Sequence, residues 1–236
     1  MKSAFFGFLL LLPCLLFGQV NVYFFPGQGS DYRIYRDIEL PDGHKAIFID
    51  YPTPERNVSL QEFAHSFIAE IDTSTPYIFI GQSIGGMIAT ELADTLHPQK
   101  VIILSSAKQR SELPPLYRFM HHVPINDIVP KKVIKGGALI AQPLVEPDRN
   151  KEKETFKAML SSRDAAYLKR TVDMIINWER DDYPPGIIHI HGAKDHTLPI
   201  ANINCDYVIE GGSHMMALTR AREINAILRH ELTTSL

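Results

Sequence analysis

The stretch Tyr77-Ile78-Phe79-Ile80-Gly81-Gln82-Ser83-Ile84-Gly85-Gly86 combines the end of a strand with the start of a helix. Its first four residues are apolar and favour β-structure, which predicts a buried strand that ends at Gly81. A helical pattern begins at once, because apolar residues recur on one helix face at Ile84, Met87, Ile88, Leu92 and Leu96. Ser83 therefore lies at the corner between a strand and a helix.

Gly81 and Gly85 flank this serine at the spacing G-x-S-x-G. A nucleophile at a tight strand-to-helix turn needs small neighbours, so that its backbone and its hydroxyl can both reach the substrate. The pattern alone is short enough to recur by chance, and a purely structural turn is the alternative. The preceding strand, the following helix and two downstream loops favour a nucleophile elbow with Ser83 as the reactive residue.

With this motif the chain resembles the α/β-hydrolase family, and the resemblance covers nearly everything after the first 20 or so residues. The order of strands and helices, with fully apolar strands, also indicates an α/β fold with a mostly parallel sheet covered on both faces. Compared with the eight-stranded sheet of the family, the two N-terminal strands are missing. About six strands are therefore expected, at residues 20–25, 46–50, 77–80, 101–105, 186–191 and 206–209.

Length and composition fit one large globular domain with a sizeable core, since 45% of the 236 residues are hydrophobic and 22% are charged. The net charge of −3 does not indicate the basic surface with which proteins bind nucleic acid. Lys131, Lys132 and Lys135 are interpreted as a solvated patch. Two cysteines, Cys14 and Cys205, provide neither a disulfide framework nor the spacing of metal ligands. No cofactor, metal or nucleic-acid partner is expected.

Residues 1–18 have the pattern of a secretory signal peptide: a basic residue, an apolar run and a small residue at Gly18. The apolar run is too short for a membrane span. A cleaved signal, with a mature chain starting near Gln19, is the preferred interpretation. A retained apolar anchor and a lipid-modified Cys14 are the alternatives. Export would place the hydrolase domain, residues 19–236, in a periplasm or outside the cell.

The turn Pro26-Gly27-Gln28-Gly29 follows the first predicted strand. In the family, the loop after this strand donates one backbone N–H to an oxyanion hole, and the residue after the nucleophile donates the other. By position, the resemblance implies Gln28 and Ile84 as these donors. Two such groups stabilise the charge that develops on the carbonyl oxygen during attack. A plain glycine-rich turn is the alternative.

The stretch His191-Gly192-Ala193-Lys194-Asp195-His196-Thr197-Leu198-Pro199 follows the fifth predicted strand. It resembles the acid loop of the family, in which an aspartate accepts a hydrogen bond from the base histidine and stabilises its imidazolium. Asp195 is therefore expected to be the acid. His191 is expected to satisfy a hydrogen bond at the end of its strand, without a catalytic role.

The stretch Gly211-Gly212-Ser213-His214 lies between the last predicted strand and a final amphipathic helix. This is how the family presents its base, so the resemblance implies that His214 takes the proton from the serine. The resulting order along the chain, Ser83, Asp195 and His214, is the α/β-hydrolase order, which differs from the orders in chymotrypsin and subtilisin.

Regular alternation stops at about residues 106–186, where prolines and glycines punctuate short apolar pieces before a helical pattern resumes. In the family, an insertion here forms a cap that shapes the substrate pocket and excludes water. Five side chains are candidates to line this pocket, although a place in the core of a helical subdomain fits each of them equally well: Phe119, Met120, His121, His122 and Met159.

These features predict a serine hydrolase that cleaves carboxylic esters of small or medium acyl groups through an acyl-enzyme on Ser83. An acyl thioesterase is the first alternative, because the opening Phe25-Pro26-Gly27 is similar to that of thioesterases in carrier-protein pathways. A binding protein on a hydrolase scaffold is the second. The serine argues against the family's dehalogenases and epoxide hydrolases, which carry aspartate there. The expected partner is a small-molecule ester or thioester, and the sequence does not predict an oligomeric state.

Overall fold

The computed structural model of the protein describes residues 19–122 and 151–234. The predicted signal peptide with Cys14, and the lysine patch at Lys131, Lys132 and Lys135, lie outside the described residues. None of the described helices is both long and apolar enough to cross a lipid bilayer.

Within the described residues, six parallel strands form one sheet in the order β2-β1-β3-β4-β5-β6. The sheet confirms the predicted α/β fold. Because every strand runs in the same direction, the six carboxyl ends lie along one edge, where sites of open α/β sheets are built. The strands are β1 (Val20–Phe25), β2 (His44–Phe48), β3 (Tyr77–Gln82), β4 (Lys100–Leu104), β5 (Ile187–Gly192) and β6 (Tyr207–Ile209).

Strand β2 begins two residues before its predicted start. It lies at the edge of the sheet and pairs with β1 from Val20–His44 to Phe24–Phe48. The apolar pattern missed this start because His44 and Lys45 are polar, and an edge strand can carry polar side chains at positions that a central strand must bury. Pairing with β1, rather than apolar content, therefore sets the bounds of β2.

Helices cover both faces of the sheet. Alternate residues of β1 show the two layers, since Tyr23 and Phe25 join one buried apolar cluster while Val22 and Phe24 join another. The first cluster includes α1 (Leu60–His65) and α2 (Ile84–Leu96), and the second includes α6 (Met216–Thr219) and α7 (Ala221–Thr233).

Helix α1 begins at the predicted capping box. The Ser59 side chain accepts from the Glu62 backbone, and the Glu62 side chain accepts from the Ser59 backbone. These reciprocal bonds satisfy backbone N–H groups that the first helical turn leaves unpaired.

The insertion between β4 and β5 contains helices, as the sequence predicted for a cap. Asp164 is the N-cap residue of helix α5 (Ala165–Ile176), and its side chain accepts a hydrogen bond of 2.6 Å from the backbone N–H of Tyr167. The described helices of the insertion are α3 (Pro115–Met120), α4 (Lys153–Ser162) and α5 (Ala165–Ile176). Helices α4 and α5 pack against the sheet domain through apolar residues in both clusters.

Candidate active site

Ser83 connects β3 to α2 in a strained backbone conformation, with φ of 55° and ψ of −125°. Such a conformation costs a non-glycine residue about 1–3 kcal/mol and persists only where surrounding contacts fix it. The end of β4 supplies those contacts: the Ser83 N–H donates to the Leu104 carbonyl at 3.0 Å, and the Ser106 hydroxyl donates to the Ser83 carbonyl at 2.6 Å. Ser83 is thereby fixed at the carboxyl edge of the sheet.

Gly81 and Gly85 permit this turn because atoms of neighbouring backbone segments lie where a Cβ would be at each position. A Cβ on Gly81 would lie 2.3 Å from the Gly85 carbonyl oxygen, and a Cβ on Gly85 would lie 2.0 Å from the Phe25 carbonyl oxygen. From the sequence, small residues were predicted here because they leave room for the substrate. The structure adds a different reason, which is that α2 could not approach β1 and β3 this closely with any side chain at these positions.

Ser83, His214 and Asp195 meet at the carboxyl edge, although they come from three separate loops. The Ser83 Oγ lies 2.8 Å from His214 Nε2, and His214 Nδ1 lies 2.8 Å from Asp195 Oδ2. With Asp195 ionised, Nδ1 carries the proton and donates it to the carboxylate, which leaves Nε2 as an acceptor for the serine hydroxyl. All three residues are buried.

Asp195 is held by its own loop as well as by the histidine. Its Oδ1 accepts hydrogen bonds from the backbone N–H groups of Thr197 at 2.9 Å and Leu198 at 2.8 Å. Burial raises the pKa of the Asp195 carboxyl, but the charge and hydrogen bond of His214, the nearby His191 and the Leu198 N–H outweigh burial and lower that pKa below its usual value. Asp195 is therefore ionised at neutral pH.

The loop that carries His214 packs closely against the loop that carries Asp195. A Cβ on Gly192 would lie 2.4 Å from the Gly212 carbonyl oxygen, and this same oxygen accepts from the Lys194 N–H at 2.8 Å. The residue before Ser83 reinforces the arrangement, because Gln82 Nε2 donates to the His214 carbonyl at 3.0 Å. Sequence analysis missed Gln82, since it occupies a variable position of the G-x-S-x-G pattern.

The loop at residues 26–30 lies beside the N-terminus of α2 and thus beside Ser83. A Cβ on Gly27 would lie 3.2 Å from Ser83 Cβ. In the described part of the chain, the backbone N–H groups of Gln28 and Ile84 donate to no backbone carbonyl outside a helix or strand. Ile84 is the first residue of α2, so its N–H has no acceptor within the helix. Gln28 borders the same cavity as Ser83, and Ile84 directly follows Ser83 along the chain, so both predicted backbone positions lie near the serine.

The Gln28 side chain points to the insertion. Its Nε2 donates to the Leu168 carbonyl and to Thr171 Oγ1, each at 2.9 Å, and both acceptors belong to α5. Sequence analysis assigned Gln28 only a backbone role. Its side-chain partners lie 140 and 143 positions further along the chain, and no local pattern could have shown them.

A cavity of about 170 Å³ adjoins Ser83 and His214. Its lining is mainly apolar, which suits a hydrocarbon group. Sheet-domain and insertion residues both contribute to it, including Met87, Leu198 and Met215 from the former and Tyr117, Phe156, Leu160 and Ile175 from the latter.

The five lining candidates proposed from the sequence do not line this cavity. Helix α3 presents Tyr117 to the cavity, which leaves Phe119 on another side of the helix with 57% of its surface exposed. Met159 is fully buried in the core cluster that contains Phe24, while its neighbour Leu160 reaches the cavity. The error is one of helical phase, because composition shows which residues a helix contains but not how that helix is rotated. The other candidates were Met120, His121 and His122.

Comparison with known proteins agrees with this architecture. A model of the alpha/beta hydrolase family matches residues 4–227. The chain belongs to the alpha/beta hydrolase family. No curated protein matches the sequence. Family membership makes the protein a hydrolase and leaves open which bond it cleaves.

Solved structures of low sequence identity share the fold of this alpha/beta hydrolase. A thermophilic esterase from Thermogutta terrifontis is 13% identical with a TM-score of 0.71, over 92% of this chain and 90% of that one. The enol-lactonase from Burkholderia xenovorans LB400 is 14% identical with a TM-score of 0.71, over 92% of each chain. The esterase EaEST from Exiguobacterium antarcticum is 15% identical with a TM-score of 0.66, over 91% of this chain and 92% of that one.

Two further histidines of the hydrolase are buried behind Asp195. His191 Nε2 lies 2.8 Å from the Leu198 carbonyl and 3.5 Å from Asp195 Oδ2, and its Nδ1 lies 3.0 Å from His189 Nε2. Desolvation lowers the pKa of both rings, that of His189 most strongly. Because a carbonyl only accepts, His191 donates from Nε2, and its Nδ1 accepts from His189. His191 thus supports the end of β5.

Residues 19–122 and 151–234 contain no group of three or more histidine, cysteine, aspartate or glutamate side chains placed to hold a metal ion.

Proposed function

We propose that this hydrolase cleaves carboxylic esters of small or medium acyl groups through an acyl-enzyme on Ser83. The observation that carries the proposal is the continuous chain of contacts from Ser83 Oγ through the His214 ring to Asp195, with 2.8 Å at each step. This geometry is what a hydroxyl needs to lose its proton while it attacks.

In the proposed mechanism, Ser83 Oγ attacks the acyl carbon while His214 Nε2 takes the hydroxyl proton. Asp195, ionised because its pKa is lowered, holds the proton on Nδ1 and stabilises the imidazolium that forms. His214 then gives the proton to the leaving alcohol. Water then attacks the acyl carbon while His214 takes its proton, and His214 returns that proton to Ser83 Oγ as the bond from Oγ to the acyl carbon breaks and the acid leaves.

The backbone N–H groups of Gln28 and Ile84 are proposed to bind the oxyanion. They flank Ser83 from two different elements, and Ile84 also lies at the positive end of the α2 dipole. Each such donor contributes roughly 3–4 kcal/mol to transition-state stabilisation in comparable sites.

The cavity beside Ser83 supports a small acyl group. At about 170 Å³, the cavity is smaller than the usual ~300–1,000 Å³ of pockets for drug-sized ligands. A short hydrocarbon chain fits this volume and its apolar lining. We therefore expect the highest kcat/KM on short acyl chains.

A fluorophosphonate probe tests the proposal, because such probes phosphonylate only an activated serine. Peptide mass spectrometry of the labelled wild-type protein should place the label on Ser83, and Ser83→Ala should not react. A protein that binds ligands without catalysis would leave Ser83 unlabelled, which would favour the binding-protein alternative.

The choice between ester and thioester needs a second comparison. Turnover of a p-nitrophenyl acyl series is measured beside acyl thioesters with the same chains. The proposal expects higher kcat/KM on the oxygen esters. A clear preference for thioesters would instead support the acyl thioesterase that the opening sequence resembles.

We also propose that residues 1–18 are removed on export. The proposal rests on the basic, apolar and small-residue pattern of this segment. The intact mass of the protein from its native host should correspond to a chain that starts near Gln19. A mass that includes the first 18 residues would support the retained anchor, and a lipid adduct on Cys14 would support lipidation.

A further inference from the structure

The loop at residues 26–30 is held from the cap as well as from the sheet. Besides the two hydrogen bonds of the Gln28 side chain to α5, the Arg163 guanidinium donates to the Ser30 carbonyl from Nη2 at 2.9 Å and from Nε at 3.2 Å. Gly29 packs against the cap as well, since a Cβ there would lie 3.0 Å from Leu160 Cδ1. Three consecutive residues of one short loop thus contact α4, α5 or Arg163, which lies between these helices.

We infer that the side chain of Gln28 is a positioning device, through which cap helix α5 sets the place of the Gln28 backbone N–H. The inference rests on the proposed function, in which this N–H binds the oxyanion. The cap would then take part in the chemistry as well as in substrate selection, although it supplies none of the three reacting side chains.

The direction of the hydrogen bonds supports a fixed orientation of Gln28. Thr171 is fully buried, and its hydroxyl donates to a carbonyl of the preceding helical turn, that of Tyr167 at 2.9 Å or that of Leu168 at 3.1 Å. The hydroxyl proton is therefore used, and a lone pair of Oγ1 accepts from Gln28. With the Leu168 carbonyl as the second acceptor, both N–H bonds of the Gln28 amide are engaged.

A fixed side chain matters here because the proposed donor is a backbone group of the same residue. The loop contains two glycines, at positions 27 and 29, which on their own would leave the backbone between them free to rotate. A displacement of about 1 Å in a positioned group can lower the rate roughly 100-fold. Anchoring Gln28 at its side chain restricts this displacement.

The chain offers a matched control for cap docking in general. The Thr53 hydroxyl donates to Asp164 Oδ2 at 2.7 Å and so joins the loop after β2 to the start of α5. Like the Gln28 contacts, it is a hydrogen bond between the sheet domain and α5. Unlike them, it does not involve the loop at residues 26–30.

The test compares Gln28→Leu, Thr171→Val and Thr171→Ser with the control Thr53→Val. We expect Gln28→Leu to lower kcat about 10- to 100-fold with little change in KM, because the oxyanion N–H is displaced while ground-state binding is kept. Thr171→Val should lower kcat by about tenfold at most, since the Leu168 carbonyl still accepts. Thr171→Ser keeps the hydroxyl and should stay near the wild-type rate, as should Thr53→Val.

A trifluoromethyl ketone inhibitor provides the readout that a merely structural role would not change. It forms a tetrahedral oxyanion on the serine, so its affinity should fall in Gln28→Leu and Thr171→Val by the same factor as kcat/KM. The midpoint temperature of thermal unfolding is also measured for every variant. These temperatures should not correlate with the loss of inhibitor affinity.

Three results would overturn the inference: an unchanged kcat in Gln28→Leu, an equal loss in Thr53→Val, or a loss in Thr171→Ser as large as in Thr171→Val. If Gln28→Leu does not fold, the two Thr171 variants decide. Wild-type turnover in Ser83→Ala would instead contradict the proposed function itself. The two failures are therefore distinguishable.

Discussion

The two sides of the site are built in different ways. On the sheet side, Ser83, Asp195 and His214 are held by backbone contacts so close that Gly81, Gly85 and Gly192 have no room for a Cβ. On the cap side, the cavity is bounded by side chains of helices α3, α4 and α5. The sheet side therefore permits little variation, whereas the cap side can change its side chains while the chemistry is preserved.

The largest expected effect is on the sheet side, in the reacting side chains. Ser83→Ala, His214→Ala and Asp195→Asn should each lower kcat by about 10⁴-fold or more. They remove, in that order, the nucleophile, the base and the carboxylate that fixes the tautomer of the base. Steady-state kinetics on a short p-nitrophenyl ester measures this. Retained turnover in His214→Ala would move the role of base to another histidine, with His191 and His196 the nearest in sequence to Asp195.

The second effect is on the backbone that presents the serine. Gly85→Ala places a Cβ 2.0 Å from the Phe25 carbonyl oxygen and should lower the free energy of unfolding by about 4 kcal/mol, if the variant folds at all. Thr95→Ala, on the exposed side of the same helix, should stay within about 0.5 kcal/mol of wild type. Urea unfolding compares them, and similar values for both would refute the backbone argument.

The third effect is on stability at acid pH. Burial keeps the pKa of His189 and His191 below the ordinary value of 6.5, so below that pH the unfolded chain binds more protons than the folded one. Stability should therefore fall as pH decreases below about 6.5, by up to ~1.4 kcal/mol per pH unit for each histidine.

His189→Gln tests this assignment, because its side-chain amide can still donate to His191 Nδ1 but does not titrate. Urea unfolding at several pH values between about 5.5 and 7.5, roughly one unit on either side of an ordinary histidine pKa, should show a shallower slope for this variant. His230→Gln, at an exposed position of α7, is the control and should keep the wild-type slope. Identical slopes in all three proteins would contradict the account.

The smallest effect is on the cap side and concerns selectivity. Ile175→Ala enlarges the cavity and should shift the ratio of kcat/KM values for longer against shorter acyl chains by about tenfold, since one methylene in an apolar pocket is worth ~1–3 kcal/mol. Leu116→Ala, at a position 62% exposed on α3, should leave the ratio unchanged. The p-nitrophenyl acyl series measures both, and an unchanged ratio in Ile175→Ala would show that this cavity does not hold the acyl chain.

The same contrast explains what could be predicted from the sequence. Ser83, Asp195 and His214 each follow a strand and lie two or three residues from a glycine, and in a parallel sheet the ends of neighbouring strands meet. Their convergence was therefore predictable, and the structure brings them within hydrogen-bonding distance. Their catalytic roles stay a prediction that the kinetics above will test.

The cap side was not predictable from the same information. Whether Phe119 or Tyr117 faces the cavity depends on how α3 is rotated against its neighbours, and composition does not show this. The contact of Gln28 with Leu168 depends on packing between segments that are 140 positions apart. Both features arise from tertiary packing, so they could be recognised only from the structure.

The central claim, that Ser83 forms an acyl-enzyme, is tested most directly by trapping that intermediate. The wild-type protein is mixed with a short p-nitrophenyl ester, quenched in acid within the first turnovers, digested and examined by mass spectrometry. The account predicts that the acyl group is found on the peptide containing Ser83 and that Ser83→Ala neither carries it nor releases p-nitrophenol at the enzymatic rate. An acyl group on a different residue, or wild-type turnover in Ser83→Ala, would contradict it.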